Sequence, residues 1–214
     1  MFTLTENEMG IMPHVAYHFT TVSPWSYLGH ALFLDITHRH GATVSVHPTP
    51  FGSVFAESGG LPLPKRHPLR QRYRLSELQR WRARRDVPLT LHPRFFPADA
   101  TLADCTALAA VREGLDALPF VGAAMRACWA EERDIADPDT VEELAGANGL
   151  PLTLSREARA RLEEEYRAGA AEALAKGVFG APSFVLNGEV FWGQDRLELL
   201  DDALGSGRGP MLPD

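Results

Sequence analysis

The 214-residue sequence predicts an α/β fold in which a β-α-β segment and a β-β-α segment enclose a long all-helical block. Near both ends of the chain, apolar residues alternate with polar ones, as in strands that bury one face. Between Gly59 and Gly177 the sequence is instead rich in alanine and charged residues and is divided by prolines, as expected for a series of helices. Because 45% of the residues are hydrophobic, the chain can bury a substantial core.

The first elements are predicted to be a strand, a helix and a second strand. VAYHF at 15–19 alternates in polarity and predicts a strand with one buried face. Ser23 is a favourable N-cap and Pro24 a favourable first-turn residue, so a helix is expected to begin there and to end at Gly41. TVSVH at 43–47 predicts the second strand.

Two helices of the block are well delimited by their end signals. One has Asp137 as its cap and Gly149 as its stop, and the other runs from about Ser155 to Lys176 and ends at Gly177. No stretch of the block predicts a strand convincingly.

A β-hairpin and a last helix are predicted after the block. SFVL at 183–186 and EVFW at 189–192 flank an Asn-Gly pair, which is a strong hairpin signal, and the last helix spans 195–204 with Asp195 as its cap. This order is that of a thioredoxin-like core with a large all-helical insertion. We assign residues 14–58 and 177–205 to the core, 59–176 to the insertion, and 1–13 and 206–214 to flexible tails.

Composition favours a cytoplasmic protein that acts on small molecules. The formal net charge of -7 argues against nucleic acid or an anionic membrane surface as the main partner. No apolar run approaches the roughly 20 residues of a membrane-spanning helix, and the first fourteen residues lack the basic and apolar regions of a secretory signal. Cys105 and Cys128 have no Cys-x-x-Cys spacing and are expected to be small buried hydrophobes in a reducing compartment.

The loop Ser23-Pro-Trp-Ser26 has the outline of a thioredoxin-type redox loop with an oxygen in place of each sulfur. A serine hydroxyl with no adjacent base is too weak an acid to act as a nucleophile, so Ser23 is better suited to donate a hydrogen bond. A thiolate held at this helix N-terminus would have to come from another molecule, and glutathione is the abundant cytosolic thiol. The alternative is that the loop is only a good helix cap.

Two further segments can complete such a site. Ala181-Pro182 precedes a strand, and a free backbone there can pair with an extended peptide as a sheet edge does. Gln194 and Asp195 begin the last helix, where amides can bind a carboxylate and Asp195 an ammonium group, as the γ-glutamyl end of glutathione requires. Taken singly, the two segments are also explained as a turn and a cap.

Six segments together resemble the 2-hydroxychromene-2-carboxylate isomerase family, which is related to kappa-class glutathione transferases and to DsbA-like disulfide oxidoreductases. The segments are SPWSYL (23–28), ELQRW (77–81), HPRFFP (92–97), WAEERDIADP (129–138), GVFGAPSF (177–184) and FWGQDRL (191–197). The resemblance runs from about residue 15 to residue 204. It implies a thioredoxin-like core, a homodimer, and glutathione as a cofactor that is regenerated.

The resemblance also implies residue roles. In that family the serine matching Ser23 orients the glutathione sulfur. The residue before a cis-proline, which here is Ala181 before Pro182, pairs with the cysteinyl backbone. Residues matching Gln194 and Asp195 hold the γ-glutamyl end. The thiolate adds to a conjugated double bond, the bond rotates, and elimination returns the thiol. For the substrate that names the family, this interconverts a closed chromene and an open trans-benzylidenepyruvate.

The sequence departs from the family at three places. Thr20 stands where relatives usually have an aspartate. The Gly59-Gly60 pair falls near the asparagine that in many relatives meets the glycyl carboxylate of glutathione. A family lysine falls on Arg70 or is replaced by the nearby Lys65 and Arg66, whereas Tyr73 matches the family tyrosine.

An acidic aromatic substrate would need a cation and aromatic walls. Lys65, Arg66 and Arg70 form a local basic cluster that can supply the cation, although a solvated loop explains the cluster as well. We name Arg70, together with Trp25 and Tyr73, as candidate substrate-binding residues.

Two other functions remain open. One is a kappa-class-like glutathione transferase or another glutathione-dependent enzyme, and the other is a non-catalytic thioredoxin-fold binding protein. A disulfide oxidoreductase is disfavoured by the missing sulfurs. No metal site is predicted, because His38 and His40 lie two residues apart on a helix and point to different faces.

Overall fold

The computed structural model describes residues 12–150 and 155–213. Residues 1–11 of the predicted N-terminal tail therefore lie outside the described part. Four strands form one sheet in the order β2-β1-β3-β4, with β2 parallel and β3 antiparallel to β1, and β4 antiparallel to β3. The strands are β1 (His14–Phe19), β2 (Thr43–Pro48), β3 (Ser183–Leu186) and β4 (Glu189–Trp192).

Eight α-helices lie in the described residues. They are α1 (Pro24–Arg39), α2 (Phe51–Ser58), α3 (Pro68–Arg85), α4 (Thr101–Arg112), α5 (Leu118–Trp129), α6 (Pro138–Ala147), α7 (Arg156–Ala175) and α8 (Leu197–Ser206). Between 59 and 176, the described residues contain no strand. The predicted thioredoxin-like core with its helical insertion is confirmed, while the exact domain boundaries stay a prediction.

The predicted helix ends are confirmed at three caps. The side chains of Ser23, Asp137 and Ser155 each accept a hydrogen bond from the backbone N–H three residues further on. Gly177 ends α7 in the left-handed region, with φ of 74°.

The start of the last helix differs from the prediction. A 3-10 turn over Gln194–Arg196 comes first, and α8 begins only at Leu197, so Asp195 does not cap an α-helix. The physical reason is that the Asp195 carboxylate accepts a hydrogen bond from Arg196 Nη1 at 2.6 Å instead of from a helix amide.

The core joins the sheet to the insertion. Tyr17, Phe33 and Phe184 form an aromatic cluster between the sheet and α1, with ring centroids 4.6–5.3 Å apart. From the insertion, the fully buried Trp129 donates from Nε1 to the carbonyl of Val22 at 3.2 Å. The insertion therefore packs directly against the loop that follows β1.

Both cysteines are free and buried, as predicted. Burial raises the pKa of each thiol to about 12, so neither is a reactive thiolate at neutral pH.

In residues 12–150 and 155–213, no helix combines the length and the apolar composition that crossing a bilayer requires.

Gly29 sets the distance between α1 and the 3-10 turn at Gln194. A Cβ at this position would lie 2.7 Å from Gln194 Cβ and 3.2 Å from Leu197 Cδ1. Since both neighbours are buried, a larger side chain cannot be accommodated without moving the turn.

We predict that Gly29→Ala lowers the free energy of unfolding by about 1–3 kcal/mol, because the new methyl group overpacks this contact. Urea denaturation measures the change. Gly146→Ala is the matched control, since Gly146 is an exposed residue of α6 and a Cβ there meets nothing within 4 Å. The free energy of unfolding of the control is expected to rise by about 0.5–1 kcal/mol. A rise in both variants would contradict the close approach of Gly29 to Gln194.

Candidate functional site

Ser23 uses its oxygen as a helix cap and keeps its hydrogen available. Its backbone N–H donates to the Thr20 carbonyl at 3.0 Å, which closes the loop, and its Oγ accepts from the N–H of Ser26 at 3.2 Å. No acceptor for the Ser23 hydroxyl hydrogen lies within hydrogen-bonding distance in the described residues. The hydroxyl can therefore donate to a group that approaches the N-terminus of α1.

The two serines of the loop occupy different environments. Ser23 lines a cavity and is 8% exposed, whereas Ser26 is fully buried and its Oγ has no hydrogen-bond partner in the described part of the chain. Of the two, Ser23 faces a ligand site.

Two adjoining cavities surround the loop. The helix cavity, of about 610 Å³, lies between α3 and the 3-10 turn at Gln194. The loop cavity, of about 620 Å³, contains Ser23 and the segments around residues 50–55 and 96–101. The residues shared by both linings are Trp25, Arg66, Arg74, Ala181 and Trp192.

The structure brings together, at the boundary of these cavities, the residues that were predicted to lie near the glutathione sulfur. Ser23 lines the loop cavity, while Ala181 and Trp25 line both. The Ala181-Pro182 bond is cis. Outside the strand ladders, the backbone N–H and C=O of Ala181 have no hydrogen-bond partner among the described residues. An extended peptide can therefore pair with Ala181.

Gln194 and Asp195 line the helix cavity in different ways. The Gln194 side chain is buried, and its Oε1 accepts from Arg85 Nε at 2.9 Å. The Asp195 carboxylate is partly exposed and pairs with Arg196. Of these two side chains, only that of Asp195 is exposed enough for a ligand to reach it without displacing Arg85.

Arg70 and Tyr73 line the helix cavity and are not part of the loop-cavity lining. Lys65 lines neither, and Arg66 donates from Nε to the Leu61 carbonyl at 2.7 Å. Gly59, which has a left-handed φ of 76°, also lies outside both cavities.

Asp104 is a site-supporting residue that the sequence analysis did not identify. Its carboxylate is fully buried beneath the loop and accepts four hydrogen bonds. The donors are Thr20 Oγ1 at 2.7 Å, Thr21 N at 2.9 Å, Thr21 Oγ1 at 2.8 Å and Tyr166 OH at 2.8 Å. The sequence does contain a signal for it, because Asp104 is the one acidic residue in α4, whose other residues are mostly small or apolar.

Asp104 also clarifies the departure at Thr20. Where relatives usually have an aspartate in the loop, this chain has a threonine whose hydroxyl donates to a carboxylate from α4. An acidic group therefore lies at this end of β1 although the loop itself carries none.

Positive charge predominates around both cavities. The helix cavity is lined by Arg66, Arg70, Arg74 and Arg196 but by only two acids, Glu77 and Asp195. The loop cavity has two arginines and one acid, Asp99, which is exposed and accepts from the Thr101 N–H. In a protein with a net charge of -7 this local excess favours anionic ligands. No cluster of His, Cys, Asp or Glu suited to a metal ion occurs in the described part of the chain.

Comparisons with known proteins agree with this geometry. The family model of the DSBA-like thioredoxin domain matches residues 14–205. A 2-hydroxychromene-2-carboxylate isomerase of Sphingobium xenophagum is 30% identical over 194 residues, which cover 89% of this chain and 97% of the relative. Glutathione S-transferase kappa 1 of Caenorhabditis elegans is 33% identical over 85 residues, 39% of this chain and 37% of that protein. A solved 2-hydroxychromene-2-carboxylate isomerase superposes with a TM-score of 0.75 at 23% identity, covering 90% of this chain and 95% of that one, which shows a shared fold.

The pH dependence of stability is a test of the Asp104 environment. Burial raises the pKa of Asp104 to about 6, above the value of about 3.9 of an exposed aspartate. Between these values the folded chain holds a proton that the unfolded chain has lost. The contribution of Asp104 to stability is therefore fully present below about pH 4 and is lost as the pH rises to about 6.

We predict that the stability of the natural protein relative to Asp104→Asn declines between about pH 4 and pH 6, by at most about 1.4 kcal/mol for each pH unit, and is constant above that range. Chemical denaturation of both proteins across pH gives this difference. Tyr166→Phe removes one donor to the carboxylate and is expected to extend the decline to higher pH. If the stability difference instead grew with pH, the four hydrogen bonds would lower the pKa of Asp104 by more than burial raises it.

Proposed function

The chain belongs to the 2-hydroxychromene-2-carboxylate isomerase family of DSBA-like thioredoxin domains, and on this premise we propose that it is a glutathione-dependent isomerase of an aromatic acid. The substrate is of the chromene or benzylidenepyruvate type. The observation that carries the proposal is the Ser23 hydroxyl, whose oxygen caps α1. Among the described residues its hydrogen has no acceptor, and the backbone of Ala181, which lines the same cavity, has no partner.

The residues present fit glutathione along the boundary of the two cavities. Ala181 offers a backbone donor and acceptor to the cysteinyl unit. The 3-10 turn at Gln194 offers its first amides, which have no partner within a helix, to the α-carboxylate of the γ-glutamyl end. Asp195 can receive the ammonium group if it exchanges its exposed contact with Arg196. The excess of arginines in the helix cavity suits a ligand with two carboxylates.

When bound, glutathione supplies a thiol whose anion adds reversibly to a conjugated double bond and so allows rotation about it. The protein's part is to keep that sulfur ionised near neutral pH and to hold the substrate beside it. Ser23 donates a hydrogen bond to the sulfur, and the N-terminus of α1 adds the favourable field of its free amides. Trp25 and Trp192, which line both cavities, provide apolar walls for an aromatic ring.

The family resemblance also supports a homodimer in the cytoplasm, where glutathione is abundant, as part of this proposal. A transferase is the second candidate, because a segment of the chain is similar to a kappa glutathione transferase and the same residues would hold the thiol. A binding protein without turnover is the third.

We expect the purified protein to convert 2-hydroxychromene-2-carboxylate only when glutathione is present, with the glutathione concentration unchanged at the end. Chromatography of substrate, product and free thiol measures both quantities. Accumulation of a conjugate with loss of glutathione would establish the transferase instead. Absence of calorimetric binding at millimolar glutathione would exclude both enzymes and leave the binding protein.

For Ser23→Ala we predict that glutathione still binds but that its thiol pKa rises by about 1 to 2, because one hydrogen bond to the charged sulfur is lost. Thiolate absorbance across pH measures this value in the complex. Ser26→Ala is the matched control, since Ser26 Oγ is buried and has no partner in the described part of the chain. An unchanged thiol pKa in Ser23→Ala, or an equal rise in both variants, would refute the role of Ser23.

A further inference from the structure

Arg74 is a half-buried cation to which the described residues offer no hydrogen-bond acceptor. It lies on α3, with its guanidinium carbon 5.3 Å from the ring centre of Phe96 and 5.7 Å from that of Trp129. In the described part of the chain it has neither a hydrogen bond nor an ion pair. By contrast, Arg85 of the same helix, whose side chain is 9% exposed, donates hydrogen bonds to Gln194 and Glu198.

A guanidinium in this environment is a ready anion site. Burial and the neighbouring Arg66 lower the pKa of Arg74 to about 10, so it remains charged at neutral pH. Removing a charge from water without a partner is unfavourable, and an incoming carboxylate would offset that cost. The two aromatic rings pack against the guanidinium group, and its planar fork of donors suits a bidentate contact with a carboxylate.

Arg74 lies next to the candidate site at Ser23. Arg74 lines both cavities, together with Trp25 and Ala181, and its partner ring Phe96 lines the loop cavity that contains Ser23. Among the other lining arginines, Arg70 lines only the helix cavity.

The other cations near the site are less available to a ligand in the loop cavity. Arg196 lines only the helix cavity and is paired with Asp195. Arg66 reaches the loop cavity but already uses Nε on the Leu61 carbonyl.

We propose that Arg74 is the substrate-specificity residue that binds the carboxylate of the aromatic acid in the loop cavity. This inference rests on the proposed function and names the group that recognises its substrate. It differs from the sequence-based expectation, which placed the substrate cation at Arg70, one helical turn away on the same face of α3.

A carboxylate at Arg74 has a second conceivable source, the glycyl end of glutathione. The substrate is favoured because the helix cavity has Arg70 and Arg196 of its own, whereas the loop cavity has no other cation with all its donors free among its described lining residues. If Arg74 binds the substrate, its substitution should weaken binding of the acid. If it binds the glycyl end, the substitution should weaken binding of glutathione.

The test compares Arg74→Gln with the matched control Arg72→Gln, an exposed arginine of α3 that lines neither cavity. In the natural protein and in the control, kcat/KM for the acid is expected to exceed that for its methyl ester. In Arg74→Gln, KM for the acid should rise about 10- to 100-fold and the preference over the ester should disappear, while the calorimetric Kd for glutathione is unchanged. A weakened glutathione Kd with the acid preference retained would overturn the proposal in favour of the glycyl carboxylate.

A binding experiment separates this inference from the proposed function. If the natural protein shows no turnover, calorimetric titration with trans-cinnamate and its neutral amide still tests Arg74. Preference for the acid that is lost in Arg74→Gln supports the site, and equal binding of acid and amide by the natural protein overturns it. If Arg74→Gln does not fold, Arg74→Lys retains the charge but loses the planar fork, so the acid preference should fall about tenfold. An unchanged preference in that variant would also overturn the proposal.

Discussion

The buried carboxylate of Asp104 is the interaction on which the site geometry depends. It belongs to the helical insertion, yet it receives hydrogen bonds from Thr20 and Thr21, two of the three residues that connect β1 to the Ser23 loop. Because the loop is closed onto Thr20 by the Ser23 amide, fixing Thr20 also fixes the serine. The insertion therefore sets the position of the Ser23 loop in addition to packing against it, and neither part builds the candidate site alone.

Helix α3 provides the same connection on the other side of the site. Arg74 lies at the boundary of the two cavities, and Arg85 holds the 3-10 turn through the side chain and carbonyl of Gln194 and through Glu198. Gly29 permits the close packing of that turn on α1. The two ends of the proposed glutathione site are consequently supported by one insertion helix and one core helix, so their spacing follows from the packing of the two parts.

Local sequence signals predicted most of the fold and named several residues that line the candidate site. The strands, the caps Ser23, Asp137 and Ser155, and the hairpin depend on neighbours within a few residues, and their signals were strong. The short helix α2 was not predicted, because its apolar spacing spans only two turns. Asp104 and Arg74 could not be assigned in the same way, since their roles arise from contacts with segments distant in the sequence. The start of α8 was misplaced because Asp195 pairs with its neighbour instead of capping.

The distribution of sulfur in this molecule bears on how its activity would respond to oxidative stress. The Ser23 loop has hydroxyl groups and no sulfur, and both cysteines are buried, with thiols that remain protonated at neutral pH. Oxidants that form sulfenic acids or mixed disulfides attack accessible thiolates, so this chain offers them no target. Under the proposed function, an oxidising cell would stop turnover by depleting reduced glutathione while leaving the polypeptide intact. Activity would then return as soon as the pool was reduced, without repair or resynthesis of the protein.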